Sequence, residues 1–178
     1  MSWKNTTQLF KKAINEGDVV VDLGANIGYF SLLAAQLVGA RGKVYSFEPE
    51  PKNYHYLQRN IRLNGYDNAV AIQKAVSDKI GKIKLFICPY DSGHHTIGQY
   101  EGIRAYKPNF VYKEEFVEVE TTPLDDFFNE IGQSINVIKM DVEGAEMLAL
   151  SGMDRILKEN EKIKMFIEFF PFLIKKMG

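Results

Sequence analysis

Apolar runs and helical stripes alternate along the first half of the chain. Runs without polar interruption are typical of parallel strands buried on both faces, whereas apolar positions three and four residues apart indicate helices. Helical patterns in "LFKKAI", "YFSLLAAQLVG" and "YHYLQRNI" alternate with strand patterns in "VVVDL", "KVYSFEPEP" and "AVAIQKAVS". This β-α-β-α-β order predicts a doubly wound, mostly parallel α/β sheet with right-handed crossovers, in which the first helix covers one face.

The pattern changes in the second half. Two β-rich runs, "GKIKLFICP" and "EFVEVET", have no helical pattern between them, which predicts a β-hairpin insertion. The polar segment that separates them, 89–115, is long enough to suggest a mobile cover over an acceptor site. The remaining patterns predict a helix in "PLDDFFNEI", a strand in "NVIKMDVEG", a helix broken near Gly152 and a fifth core strand in "KIKMFIEFF".

Composition limits the classes of protein that need to be considered. The 178 residues are 46% hydrophobic, enough for one domain over residues 1–178, and the net charge of −1 provides no basic field for nucleic acid. A single cysteine, Cys88, fits a reducing compartment. No apolar run is long enough to span a bilayer, so the sequence predicts a soluble, cytoplasmic protein without a membrane partner.

The stretch "VVVDLGANIGYFS" predicts a strand, a tight loop and a helix, a junction that holds anionic or dipolar ligands at the helix amides. Its glycines, Gly24 and Gly28, lack the spacing and the third glycine of a dinucleotide fingerprint. Asn26 between them tolerates a left-handed backbone and can make the turn. Asp22 would repel a diphosphate and suits a cation.

Glu48 follows the second strand, twenty residues after Gly28. A carboxylate at this position accepts hydrogen bonds from both ribose hydroxyls and rejects a 2′-phosphate. The ligand would then carry a ribose and a positive group, and S-adenosylmethionine fits, with its carboxylate at the amides near Gly28 and Tyr29. The alternative is that Asp22 and Glu48 only cap loops.

These residues carry a resemblance to a known family. "VVVDLGANIGYFS", "YSFEPEP", "KAVSD" and "IKMDVEGAE" resemble the FkbM family of S-adenosylmethionine-dependent methyltransferases. The resemblance implies the class I, Rossmann-like methyltransferase fold and methyl transfer to a hydroxyl of a small molecule or glycan. It also implies that Ala75 and Val76 lie against the adenine. The cofactor-binding residues expected from the loop argument and the resemblance together are Asp22, Gly24, Ala25, Asn26, Gly28, Tyr29, Glu48, Ala75, Val76 and Asp141.

Acidic residues follow two predicted strands of the second half. Asp141 and Glu143 come at the carboxyl end of one strand, at the sheet edge that the first loop also occupies. Glu168, late in the last strand, is expected to point into the same cleft, because charges this deep in a strand need a partner. Glu146 could instead stabilise a helix N-terminus, and Glu143 shares that alternative. The candidates for a general base are Asp141, Glu143, Glu168, His94 and His95, with a carboxylate favoured and their order left open.

The loop "SGHHTIGQY" has no third ligand at metal spacing, so no metal site is predicted, although the acidic cluster leaves a divalent ion as an alternative. Two other functions stay open. An RNA methyltransferase of the same fold would use the basic, aromatic stretch "YKPNFVYK", and a nucleoside-binding module would lack catalysis.

The end of the sequence raises one further expectation. By the resemblance, a class I methyltransferase fold continues to a sixth and a seventh strand, for which "IEFFPFLIKKMG" leaves no strand pattern. The fifth strand, 163–170, would then be an unpaired edge. We therefore expect either a fragment of a longer chain or self-association through this edge.

Overall fold

The computed structural model describes residues 3–89, 92–97 and 115–168. Six helices and eight strands lie within these residues. The helices are α1 (Trp3–Ala13), α2 (Tyr29–Val38), α3 (Pro51–Leu63), α4 (Leu124–Ile131), α5 (Glu146–Ser151) and α6 (Asp154–Glu159). The strands are β1 (Val19–Leu23), β2 (Lys43–Phe47), β3 (Ala69–Ile72), β4 (Ala75–Val76), β5 (Gly81–Phe86), β6 (Phe116–Thr122), β7 (Val137–Met140) and β8 (Lys164–Ile167).

The main sheet has five parallel strands in the order β3-β2-β1-β7-β8. The strand order reverses between β1 and β7, so the carboxyl ends of these two strands border the crevice where open α/β sheets bind ligands. The doubly wound, parallel α/β fold predicted from the sequence is confirmed.

Hydrophobic clusters cover both faces of this sheet. On one face Phe10 of α1 is fully buried and meets Phe30 of α2 edge to face, with ring centroids 5.2 Å apart. On the other face Tyr45 lies 5.1 Å from Phe128 of α4, again edge to face. The predicted packing of the first helix against the sheet is thus confirmed, and the two layers hold the strand ends in fixed positions.

A second, smaller sheet corrects one sequence prediction. The run "AVAIQKAVS" was expected to form one strand, but it forms β3 in the main sheet and β4 in a three-stranded sheet of order β4-β6-β5. The chain leaves the main sheet because β4 pairs with β6 and Val76 is buried in the cluster that contains Leu124. The antiparallel pair β5 and β6 confirms the predicted hairpin insertion.

The predicted helix break near Gly152 is confirmed between α5 and α6. A Cβ atom at Gly152 would lie 2.0 Å from the backbone oxygen of Ser77, so only glycine allows this approach.

Within the described residues, β8 pairs with β7 on one side and forms an edge of the sheet. Among those residues, no helix has the length and apolar character needed to cross a membrane.

Candidate active site

The loop after β1 forms a tight turn with three left-handed residues, Gly24 (φ 77°), Asn26 (φ 51°) and Gly28 (φ 100°). This confirms the prediction that Asn26 adopts a left-handed backbone. The backbone amides of Gly24 and Ala25 both donate to the carbonyl of Phe47, each at 3.0 Å, which ties the loop to the end of β2. The loop therefore lies between the ends of β2 and β7.

Glu48 is buried at the end of β2, with 5% of its surface exposed. Its Oε2 accepts a hydrogen bond from the amide of Asn26 at 2.7 Å, and its Oε1 accepts one from the amide of Glu50 at 3.0 Å. Burial raises the pKa of Glu48 to about 7, although both amide hydrogen bonds oppose the rise. Glu48 thus fixes the glycine loop and also lines the adjacent cavity.

Glu48 lines the first half of a cleft, on the β2 side of the glycine loop. The sequence-predicted residues Ala75 and Val76 lie in the same lining, although they belong to β4 and not to the third strand of the main sheet. Leu85 and Ile97 add apolar surface that the sequence argument missed. This half combines an apolar wall with two buried acidic residues, Glu48 and Glu143.

The second half of the cleft, on the β7 side of the loop, has a volume of about 440 Å³. It shares lining residues with the first half, so the two halves adjoin each other. Of the sequence-predicted residues, the second half is lined by Asp22, Gly24, Ala25, Asn26, Tyr29, His94, Asp141, Glu143 and Glu168. Gly28 lines neither half; it forms the turn that precedes α2.

Lys139 is the main residue of this site that the sequence analysis missed. It lies in β7, opposite Asp22 of β1 in the parallel register, and is 7% exposed. Its Nζ lies 3.3 Å from Oδ2 of Asp141 and 3.9 Å from Oδ1 of Asp22. A charged residue between the apolar neighbours of "NVIKMDV" was the signal that could have identified it.

Asp22 therefore has a cationic partner within the chain. Its carboxyl group is 1% exposed, and Oδ2 accepts a hydrogen bond from the Ser31 hydroxyl at 2.7 Å. Burial raises the pKa of Asp22, while Lys139 and Ser31 act in the opposite direction. The cation expected next to Asp22 is thus a residue of the chain, Lys139, and not only a group of the ligand.

Glu168 directly follows β8 and lies at the rim of the second half. Its amide donates to the carbonyl of Met140 at 2.9 Å, and Asp141 lines the same half of the cleft. Partial burial and then the charge of Asp141 raise the pKa of Glu168, while Lys139 and His94 lower it. Glu168 lines the same cleft, as expected, but it follows the strand and is exposed, so the expectation of a charge deep in the strand is wrong.

The turn after β7 is held by Glu146. Glu143 (φ 46°) and Gly144 (φ 98°) are both left-handed, and Oε1 of Glu146 accepts a hydrogen bond from the Gly144 amide at 3.0 Å. Glu146 is fully buried, and burial raises its pKa. In this turn the backbone carbonyl of Glu143 accepts a hydrogen bond from the Thr96 hydroxyl at 2.6 Å.

Residues 92–97 lie across the cleft. The Ser92 carbonyl accepts hydrogen bonds from the side-chain amides of Asn26 (3.1 Å) and Asn53 (2.9 Å). His95 uses Nδ1 to accept a hydrogen bond from the Cys88 amide at 3.0 Å, which gives it a structural role. Residues 98–114 of the predicted cover, including the stretch "YKPNFVYK", lie outside the described residues.

The fold and the cleft define a class of protein. The main sheet is parallel and has a glycine loop after β1, a buried carboxyl group after β2 and carboxyl groups after β7 and β8. These features define a Rossmann-like α/β protein with a nucleotide-type cleft. The same fold occurs in the crystal structure of a methyltransferase FkbM from Methylobacillus flagellatus, with a TM-score of 0.59 and 21% identity. The alignment covers 86% of this chain and 33% of that one.

Residues 22–177 match the family described as the methyltransferase FkbM domain, and the chain belongs to this family. It is 32% identical over 161 residues to the 31-O-demethyl-FK506 methyltransferase FkbM of Streptomyces tacrolimicus, covering 79% of this chain and 61% of the relative. It is 27% identical over 157 residues to the hexuronic acid methyltransferase AglP of Haloferax volcanii, covering 87% of this chain and 58% of the relative. The chain therefore spans about three fifths of the length of these curated relatives.

Proposed function

We propose that the protein binds S-adenosylmethionine and transfers its methyl group to a hydroxyl oxygen of a small molecule or glycan. The observation that carries the proposal is the pair of adjoining cavities on either side of the glycine loop, one lined by the buried Glu48 and the other by Asp141 and Glu168. A nucleoside cofactor needs a carboxyl group such as Glu48 to bind its ribose, and removal of a proton from an acceptor needs a base such as Asp141 or Glu168.

The first half of the cleft has the chemistry that an adenosine group requires. Glu48 still has lone pairs on both oxygens after accepting its two amide hydrogen bonds, and these can accept from ribose hydroxyls. Ala75 and Val76 provide an apolar surface for the adenine. The chemistry of these residues therefore fits an adenosine, and the first half, with a volume of about 60 Å³, must widen to admit it.

The second half has the charges that a methionine group requires. Asp141, whose side chain is 23% exposed, can face its ammonium group. Asp22 lines the same half but is 1% exposed, with Oδ1 3.9 Å from Nζ of Lys139, so it adds negative charge without direct contact. The glycine-loop residues Gly24, Ala25 and Asn26 line the same half of the cleft. The N-terminal turn of α2, which follows Gly28 and starts at Tyr29, carries a positive dipole that favours the methionine carboxylate.

When bound, the cofactor supplies an activated methyl group. The chain then has two tasks, to hold the acceptor hydroxyl in line with the transferred group and to accept its proton. Asp141, Glu143, Glu168 and His94 all line the second half and are the candidates for the proton acceptor. A positioned base contributes about 10²–10⁴-fold to the rate of such a step.

Two relatives support the class of acceptor. The names of these relatives describe methyltransferases that act on 31-O-demethyl-FK506, a small molecule, and on a hexuronic acid, a sugar acid. Acceptors with hydroxyl groups are therefore the first to test with this chain.

Mass spectrometry tests the proposed activity. The purified protein is incubated with methyl-deuterated S-adenosylmethionine and a metabolite extract, and products that gain one labelled methyl group are fragmented. We expect the label on oxygen, and we expect Asp141→Asn to reduce the labelled product. A label found only on RNA would contradict the small-molecule acceptor, and the absence of any labelled product would contradict methyl transfer.

A further inference from the structure

Two large apolar side chains at the start of α2 are exposed in the second half of the cleft. Ile27 is 47% exposed and Tyr29 is 51% exposed, and both line this half. Apolar side chains that are exposed singly need no explanation, but neighbouring ones on the wall of a cavity mark a surface that a ligand can cover. This wall is therefore a candidate ligand contact.

Contacts from two helices hold the wall in place. The ring of Tyr29 meets the ring of Phe30 edge to face, with centroids 5.1 Å apart, and Phe30 is itself buried at 7% exposure. The backbone carbonyl of Ile27 accepts a hydrogen bond from the side-chain amide of Asn60 of α3 at 2.7 Å. A ligand on Ile27 and Tyr29 therefore meets a preformed surface, so that less binding free energy is lost in ordering it.

The charged groups of the proposed cofactor do not account for this wall. Asp141 matches the ammonium group, and the N-terminal turn of α2 favours the carboxylate. The side chains of Ile27 and Tyr29 offer neither group an opposite charge. They offer apolar surface in the same half of the cleft as the carboxyl groups of Asp141 and Glu168. This combination suits a molecule that has an apolar face and a hydroxyl group at its edge.

We propose that Ile27 and Tyr29 form a platform that binds the methyl acceptor, so that an apolar face of the acceptor lies on the Tyr29 ring and its hydroxyl group is directed to the carboxyl groups of the same half. This inference rests on the proposed function. Tyr29 then serves two ligands, with its backbone at the cofactor and its side chain at the acceptor. A hydroxylated ring has both the C–H face and the hydroxyl edge that this arrangement requires.

Methyl transfer at two acceptor concentrations tests the inference. The protein is incubated with methyl-deuterated S-adenosylmethionine and a metabolite extract, either concentrated or diluted. In Tyr29→Ala we expect the labelled product to fall about tenfold in the dilute extract and by less in the concentrated one, because the loss is in acceptor binding. Tyr29→Phe keeps the ring and should restore the product.

Tyr56→Ala is the matched control. Tyr56 is 39% exposed and meets the ring of His55 edge to face, as Tyr29 meets Phe30, but it lines neither half of the cleft. We expect this variant to form as much labelled product as the parent in both extracts.

Calorimetry with S-adenosylhomocysteine separates the two ligands. Its affinity for Tyr29→Ala should stay within about twofold of that for the parent, and a loss equal to the loss of product would assign the ring to the cofactor and overturn the inference. Equal product from Tyr29→Ala and the parent would also overturn it. If Tyr29→Ala does not fold, Ile27→Ser carries the same expectations. No labelled product from the parent would remove the proposed function and the platform with it, whereas the other outcomes leave the proposed function standing.

Discussion

Gly24 lines the cleft at a position where the backbone geometry allows only glycine. Its φ of +77° disfavours any side chain, and a Cβ atom would lie 1.9 Å from the backbone oxygen of Asp141. The glycine loop and the end of β7 can therefore approach each other only with glycine at this position. The same approach brings Asp141 to the junction of the two cleft halves.

Gly24→Ala, compared with Gly17→Ala, measures how much the steric clash with Asp141 adds to the cost of backbone strain. We expect it to lower the free energy of unfolding by clearly more than the roughly 1–2 kcal/mol of left-handed strain, because the clash with Asp141 adds to that strain. Gly17→Ala is the control, since Gly17 has φ +88° and a Cβ atom there would have no other atom within 4 Å. Urea unfolding measures both variants, and equal losses would show that the loop can move away from β7.

At the residue scale, the sequence predicted those features that depend on neighbouring positions. The left-handed Asn26 and the position of Glu48 at the end of β2 followed from the local sequence pattern. Lys139 did not, because its pairing with Asp22 spans 117 positions and depends on the register of β1 against β7. A register between distant strands depends on the whole sheet and cannot be derived from local spacing.

At the element scale, the segment 92–97 is the part of the cleft that is held from outside the main sheet. Asn53 of α3 and Asn26 of the glycine loop both donate to the Ser92 carbonyl, and Thr96 pairs with Phe86 of β5 through two backbone hydrogen bonds. The second sheet thus positions a covering segment over the site. This explains why the hairpin insertion matters to the cleft.

Asn53→Ala should loosen this covering segment. It removes the 2.9 Å hydrogen bond to Ser92 and leaves the helix itself intact. We expect faster amide hydrogen exchange in 92–97 and faster dissociation of a bound nucleoside. Asn64→Ala serves as the control, because Asn64 ends the same helix and its side chain bonds to Asn60. Equal exchange in 92–97 for both variants would mean that the hydrogen bond does not hold the segment.

The separation of β3 and β4 into two sheets could not be predicted from the local sequence pattern. The apolar pattern of "AVAIQKAVS" is compatible with one strand, and only the partner strand β6, which is more than forty positions away, draws Ala75 and Val76 out of the main sheet. The helices and the remaining parallel strands followed from their own periodicity. The main sheet and its helices were therefore predictable, whereas of the second sheet only the hairpin of β5 and β6 was predicted.

At the scale of the whole molecule, buried carboxyl groups set the pH dependence of stability. The pKa of Glu48 is about 7 in the folded protein and 4.5 for an exposed glutamate, so the folded state keeps a proton that the unfolded state has lost between these values. This contribution is fully present below pH 4.5 and is lost as the pH rises through about 7. Asp22, Glu146 and Glu168 have raised pKa values and act in the same direction.

We therefore expect the free energy of unfolding to be about 1 kcal/mol larger at pH 6 than at pH 8. Urea denaturation at both values, at constant ionic strength, measures the difference. Glu48→Ala should reduce the difference, because it removes one of the protons that the folded state retains. A stability that rises from pH 6 to pH 8 would contradict the burial of these groups.

The edge strand β8 leaves self-association as a prediction. Within the described residues β8 pairs only with β7, and Ile167 is 39% exposed at this edge. We expect light scattering to show association of the 178-residue chain that Ile167→Glu reduces. Ile80→Glu is the control, because Ile80 is 72% exposed but lies outside the main sheet. A stable monomer at high concentration would contradict this prediction.

We expect Glu48 and the adjoining cleft to bind S-adenosylmethionine. Calorimetric titration at pH 8 with this cofactor, with S-adenosylhomocysteine and with NAD tests it most directly, with Glu50→Ala as the control for Glu48→Ala. Glu50 is also buried and also accepts an amide hydrogen bond, from Asn53 at 2.6 Å, but it does not line the cleft.

We expect the two adenosyl ligands to bind and NAD not to. Glu48→Ala should weaken binding about tenfold or more, whereas Glu50→Ala should leave it within a few-fold of the parent. Ribose hydroxyls donate to the ionised carboxylate, so affinity in the parent should fall as the pH drops below about 7. Comparable affinity for NAD, or undiminished binding of S-adenosylmethionine by a folded Glu48→Ala variant, would contradict the account.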